Sequence, residues 1–167
     1  MVLDLWERLR PIFCSGGGQQ PEINLENLSA PTMQATIDYL LQNSKEVQTA
    51  FYTLASKSRV YVGSPGEATS KLAAGELAGG FLIEPRFFGV SLPTLGVFSD
   101  ALGYLSIDYE TGKHWTPIAL MALFEFFRMV KEMDNSVIIQ LDQHYFGRRW
   151  QFRFTKTLRE YLHEPHQ

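Results

Sequence analysis

Asp142, His144, Arg148 and Arg149 form the densest cluster of chemically capable side chains in the sequence. An Asp-x-His pair on an extended strand puts both side chains on one face, where a carboxylate can orient an imidazole for proton transfer. With Arg148 beside them, Asp142 and His144 make a candidate polar site for a small enzyme or ligand-binding domain. The simpler reading is an exposed hairpin with cross-strand charge pairs. Asp108, Glu110 and His114 offer a second group, either an acid/base pair or oxygen and nitrogen ligands. Glu110-Thr111-Gly112-Lys113 has the chemistry of a hairpin tip, however, and needs no catalytic explanation. Gly63-Ser64-Pro65-Gly66 before Thr69-Ser70-Lys71 suggests an anion-binding turn but lacks the lysine spacing of a phosphate loop. The Gly-x-Ser-x-Gly pattern of a nucleophile elbow is absent. Cys14 is the only cysteine, which excludes an internal disulfide and a thiolate-rich zinc site in one chain. Neither a metal nor a cofactor is expected.

The chain has 167 residues, 45% hydrophobic and 13% aromatic, with 15 Lys and Arg against 18 Asp and Glu. A net charge of −3 argues against non-specific nucleic-acid binding, which needs clustered cations. Residues 141–167 reverse that balance, with five Arg or Lys against three Asp or Glu. Tyr145, Phe146 and Trp150 are interleaved with these cations, a composition that suits an acidic protein partner or stacked single-stranded nucleic acid. The overall acidity favours the protein. Tyr145, Arg148, Arg149 and Arg153 are the candidate partner-binding residues. His163 and His166 bracket Glu164-Pro165 without a recognisable pattern.

These groups must be positioned by an α+β domain of ordinary size. Leu5, Trp6, Leu9, Ile12 and Phe13 recur at helical spacing until Pro11 and Ser15-Gly16-Gly17-Gly18 interrupt them. Residues 1–20 therefore read as an amphipathic arm and flexible linker, dispensable for folding, ahead of a single α+β domain over 21–167. Pro31 to Gln42 fits a helix, and Ser44 can cap another bearing Val47, Ala50, Phe51 and Leu54. Arg59 to Val62 reads as a strand, and Glu67 to Leu77 as a helix ended by Gly79-Gly80. Residues 81–84 and 94–98 are further strands, and Ser99 or Asp100 can cap a short helical turn containing Ala101, Leu102 and Leu105. Ile118 to Met133, behind Thr116 and Pro117, is apolar on most sides and must be an interior helix with Phe124 in the core. Val137 to Asp142 and Arg149 to Phe154 alternate with period two around Tyr145-Phe146-Gly147, which predicts an antiparallel hairpin. Thr155 can then cap a last helix with Leu158, Tyr161 and Leu162 inward. The sheet is expected to be mixed or antiparallel. Pro117 to Phe124 is too short to span a membrane, and Met1 to Arg8 has no signal-peptide pattern, so a cytoplasmic location is expected.

Ala50-Phe51-Tyr52-Thr53-Leu54 leading to Arg59-Val60-Tyr61-Val62, then Leu92 to Asp100, a long apolar helix and Ser136 to Asp142, form an ordered set of segments. This set, from about Val47 to Leu162, resembles the SseB-like domain of bacterial secretion-associated and serine-sensitivity proteins. Where that family tends toward an Asn-Pro step after the apolar helix, Leu141-Asp142-Gln143-His144 stands here. The resemblance implies an α+β domain of non-enzymatic role and transfers no catalytic residue. Two functional expectations result. One is a bacterial interaction module, acting as an adaptor, accessory or immunity-type partner of another protein, with homo-oligomerisation left open and neither nucleic acid nor membrane as partner. The other is a small enzyme or ligand-binding domain built on Asp142, His144 and Arg148.

Overall fold

The computed structural model describes residues 2–16, 18–53, 59–60 and 65–165. Leu54, the end of the Arg59 to Val62 strand, the Gly63-Ser64 part of the glycine turn and His166 lie outside the described residues. In chain order the elements are α1 (Val2–Phe13), β1 (Glu22–Glu26), α2 (Ala30–Gln42), β2 (Ser44–Thr53), β3 (Arg59–Val60), α3 (Pro65–Ala73) and β4 (Leu77–Phe87). They continue with β5 (Val90–Ser91), β6 (Leu95–Ser99), β7 (Leu105–Tyr109), α4 (Pro117–Met133), β8 (Ile138–Leu141) and α5 (Gln143–His163). The fold is α+β, as the sequence predicts.

Strands pair antiparallel throughout in the order β3-β2-β4-β6-β7-β1-β8, and β5 pairs with the end of β4. Register produces two different faces. Leu141, Ile23, Ile107, Val97 and Phe81 are successive cross-strand partners and all are buried. The adjacent row is Gln140, Asn24, Ser106, Phe98 and Gly80, which points the other way because side chains alternate along each strand. One face thus carries the apolar core, and the other stays open as a polar face on which Asn24 and Ser106 are nonetheless buried. Gly80 lies where β4 passes β6 so closely that a Cβ would come within 1.8 Å of the Val97 carbonyl oxygen. The Gly79-Gly80 pair, expected to end a helix, therefore sits inside β4 as a point of close backbone approach.

Helix α4 packs against the buried face. Thr116 caps it by accepting from the Ala119 amide at 3.2 Å, and Pro117 occupies the first turn. Its rings leave in several directions: Phe126 stacks on Phe87 of the sheet at 5.2 Å, while Phe124 meets Phe154 and Tyr161 of α5 at 5.7 and 5.5 Å. The expected core position of Phe124 is borne out by its complete burial. Arg128 is buried too, donating to the carbonyls of Tyr161 at 2.8 Å and Glu164 at 3.3 Å and lying over the Tyr161 ring. Tyr161 in turn donates its hydroxyl to Glu125, and burial with that hydrogen bond pushes its phenol well up. The α4–α5 contact is a ring cluster closed by a buried guanidinium.

Three local expectations give way to long-range pairing. Ser44 to Thr53 forms β2, because its partner is the long strand β4 over Ser44↔Pro85 to Thr53↔Leu77, which outweighs the helical spacing of Val47, Ala50 and Phe51. Leu105 begins β7, paired with Leu25, so no helical turn runs from Ser99 to Leu105. Glu110 to Gly112 connects β7 to α4 and is not a hairpin tip.

The amphipathic arm is packed into the body. Leu9, Ile12 and Phe13 are completely buried, and Phe13 stacks on Tyr109 at 4.6 Å and meets Trp115 edge-on at 4.8 Å. The helix passes through Pro11 because burial of Ile12 and Phe13 outweighs one missing intrahelical hydrogen bond. The following segment is also held: the Thr111 amide donates to the Gln19 carbonyl at 2.9 Å, and the Tyr109 amide to that of Pro21 at 3.1 Å. Ile12 and Phe13 carbonyls accept from the Tyr109 hydroxyl and the Gly112 amide. A freely tethered arm is replaced by a helix that closes the core.

Phe13→Ala and Phe124→Ala should each cost about 3–5 kcal/mol in denaturant titration, through lost transfer energy and the cavity left behind. Removal of residues 1–20 should broaden or abolish the cooperative melting transition, whereas an arm outside the core would leave it sharp.

Candidate functional site

The polar cluster that opens the last segment is placed by a helix start. Asp142 caps α5, its carboxylate accepting from the His144 amide at 2.6 Å. Gly147, at φ 78° and ψ 176°, interrupts the helix after its first turn, and residues 148–163 continue it. The break expected at Tyr145-Phe146-Gly147 is present; the second strand is not. Period-two alternation of Trp150, Phe152 and Phe154 competes with helical spacing of Trp150, Phe154, Leu158 and Tyr161. Tertiary structure decides for the helix, because β8 already pairs with β1 and α4 presents an apolar surface to cover. Thr155, expected to cap, is in the helix interior.

This changes which residues face solvent. Phe154 and Tyr161 enter the core, and Phe152, inward in the hairpin reading, is 70% exposed. Arg148, Arg149, Lys156 and Arg159 surround it at positions −4, −3, +4 and +7, all exposed. Arg153 is exposed as well, with its guanidinium 5.1 Å from the centre of the Trp150 ring. Among the described residues, Arg148, Arg149, Arg153 and Arg159 have no ion pair, and Lys156 meets Glu160 only at 4.0 Å. Tyr145, 45% exposed, stands in the first turn with its ring edge-on to His144. Tyr145, in the turn before Gly147, and Arg148, Arg149 and Arg153, in the helix after it, are thus all exposed, and the latter are joined by Phe152, Lys156 and Arg159, which the strand reading could not group with them.

Asp142, His144 and Arg148 do not converge as a catalytic group. The Asp142 carboxylate is occupied in capping, His144 is exposed, and the Arg148 guanidinium turns to the Gln143 side chain at 3.4 Å. The group Asp108, Glu110 and His114 does not share one cavity: Glu110 and His114 border a cleft of about 930 Å³ with Lys45, Glu84 and Arg86, while Asp108 and Glu110 line a separate one of about 470 Å³ on the open face of the sheet, with no His114. Among the described residues no three of His, Cys, Asp and Glu are grouped so as to hold a metal ion.

On that open face Glu22 of β1 stands directly opposite Asp108 of β7. The sequence separates them by 86 positions, so only strand pairing reveals the contact. Burial, with the charges of Asp108 and Asp142, raises the Glu22 carboxyl; burial also raises that of Asp108, against the Ser106 hydroxyl that donates to it at 2.6 Å. Tyr104, which donates to Asn24 at 2.8 Å, is pushed up to about 12 by burial and the neighbouring carboxylates. The open face is therefore acidic, and α5 is basic.

No protein-family model matches the chain, and neither does any curated protein or solved structure. Among the described residues no helix is long and apolar enough to cross a membrane.

A carboxyl raised on folding favours the native state when protonated, and that contribution is lost as pH rises through the folded-state value. Asp108→Asn should therefore raise the melting temperature at pH 7 by about 1–3 °C, the scale of relieving one cross-strand like-charge pair. The difference should shrink as the pH falls below about 4, where the free carboxyls are protonated as well. Thermal melts at the two pH values check the sign.

Proposed function

We propose that this chain is a non-enzymatic interaction module that binds an acidic protein partner through the outward face of α5. The observation that carries this reading is Phe152, 70% exposed in the centre of a helix face whose surrounding arginines lack ion pairs among the described residues. Solvation alone explains cations but does not favour a large ring at the centre of their face. Arg and aromatic side chains are the types that most often dominate interface energy. Residues 143–163 hold five Arg or Lys and one Glu, a net of +4 in a chain of −3, so the remainder carries −7. That polarity supports steering of a negatively charged protein surface toward one side of the molecule. It supports nucleic acid less, since a long polyanion would also meet the acidic remainder. The resemblance to SseB-like domains supports the same reading, and with it a bacterial cytoplasmic adaptor, accessory or immunity-type role.

Arg149→Ala with Arg153→Ala tests the proposal, since both side chains are exposed and one helical turn apart. The double variant should melt as the wild type does. A partner recovered by affinity purification from the native host should bind it about tenfold more weakly, with a flatter dependence on salt. Unchanged affinity and salt dependence would remove α5 from the interface.

A further inference from the structure

Beside the exposed face of α5 runs a groove of about 470 Å³, bounded by the end of α4, the edge strand β8 and the C-terminal half of α5. Its walls are built from Ile138, Ile139, Leu158 and Leu162, and Lys131 and Arg159 stand among its other lining residues. Ile138 is 51% exposed on a strand that pairs with β1 alone. An apolar side chain at an uncovered sheet edge is the kind of feature that folded proteins usually blunt or cover. Within the fold it has a definite surrounding charge. Lys131 donates to the carbonyls of Asn135 and Val137, fixing the turn into β8 and holding its ammonium at the groove. Arg159 is exposed and without an ion pair among the described residues, and His163 follows one turn later. Glu132 is the one carboxylate in the lining, against Lys131 and Arg159, while Arg128 in the same lining is buried and paired with Glu125 at 3.5 Å.

Apolar walls with a cationic border complement an apolar side chain carried by an acidic segment. We infer that this groove seats a Leu-like side chain of an acidic stretch in the protein partner, whose flanking carboxylates reach Lys131 and Arg159. The inference rests on the reading of α5 as the partner-facing helix and gives that helix an anchoring point, because Arg159 belongs to both the exposed face and the groove. The cations supply attraction over distance; the groove supplies selection for an apolar residue.

The probe is a fluorescein-labelled peptide, Asp-Glu-Leu-Asp-Leu-Glu-Asp, compared with the same peptide carrying Ser for both Leu. In anisotropy titrations the Leu peptide should bind the wild-type chain about tenfold or more tighter than the Ser peptide, the scale of burying apolar side chains. Ile138→Asp should remove that preference while leaving the melting curve unchanged. Should Ile138→Asp unfold the protein, Thr155→Glu introduces the same charge from an exposed helical position on the opposite wall. Arg149→Ala/Arg153→Ala should weaken both peptides alike and keep their ratio. Equal affinity for the two peptides, or a preference that survives Ile138→Asp and Thr155→Glu, overturns the groove; loss of both peptides in the double arginine variant would still uphold the α5 face. No binding of either peptide overturns the groove, and the salt titration with the purified partner then decides the helix face separately. Preferential binding of an oligonucleotide or of phosphatidylserine vesicles at this groove, with displacement of the Leu peptide, overturns the proposed occupant.

Discussion

Phe124, Phe126 and Phe127 leave α4 in different directions, and the burial of all three requires matter on more than one side of that helix. The sheet supplies one side through Phe87, α2 contributes Tyr39, and α5 supplies another through Phe154 and Tyr161. An interior helix of this kind cannot be satisfied by its sequence neighbours alone, so distant segments are drawn onto it. Helix α1 from the beginning of the chain and α5 from its end both pack there, and Arg8 of α1 meets Glu160 of α5 across the same region. The strand β1 has the corresponding place in the sheet, set between β7 and β8. Early and late parts of the chain thus depend on one another, and the position of α5 follows from that dependence.

Fixing the inner face of α5 also fixes what its outer face presents. Phe154 and Tyr161 are committed to α4, so Phe152 and its neighbouring cations have no interior to enter. The open side of the sheet is fixed by the same logic. Once Ile23, Ile107 and Val97 point to the helices, alternation turns Glu22, Asp108 and Phe98 outward, and two carboxylates become direct neighbours. The electrostatic polarity of the molecule is therefore a by-product of core burial.

Much of the helical framework is legible in the sequence. Thr116 precedes a proline-bearing first turn and caps α4 as its side-chain chemistry predicts, and Pro31 lies in the first turn of α2 as expected, behind a Ser29 cap that the structure adds. Phe124 declares its burial through the apolar surroundings of its own helix. Tyr145, Arg148, Arg149 and Arg153 stand out by composition, and they share the exposure a docking surface needs. Glu22 could not be associated with Asp108, nor Ile138 with Leu158, because neither pair shares a local pattern.

The sequence by itself determined the α+β character, the interior helix and the concentration of cations and aromatics near the end of the chain. Caps, proline positions and runs of apolar residues act over a few positions and are readable there. Tertiary structure alone decided that Ser44 to Thr53 is a strand, that Leu9, Ile12 and Phe13 belong to the core and that Arg149 to Phe154 is helical. Each of those segments is compatible locally with more than one arrangement, and the choice fell to partners far away in sequence: β4 for the first, Tyr109 and Trp115 for the second, α4 for the third. Local preference amounts to a fraction of a kcal/mol per residue, whereas burial of an aromatic ring or pairing along a whole strand is worth several times more, about 2–3 kcal/mol for one such ring.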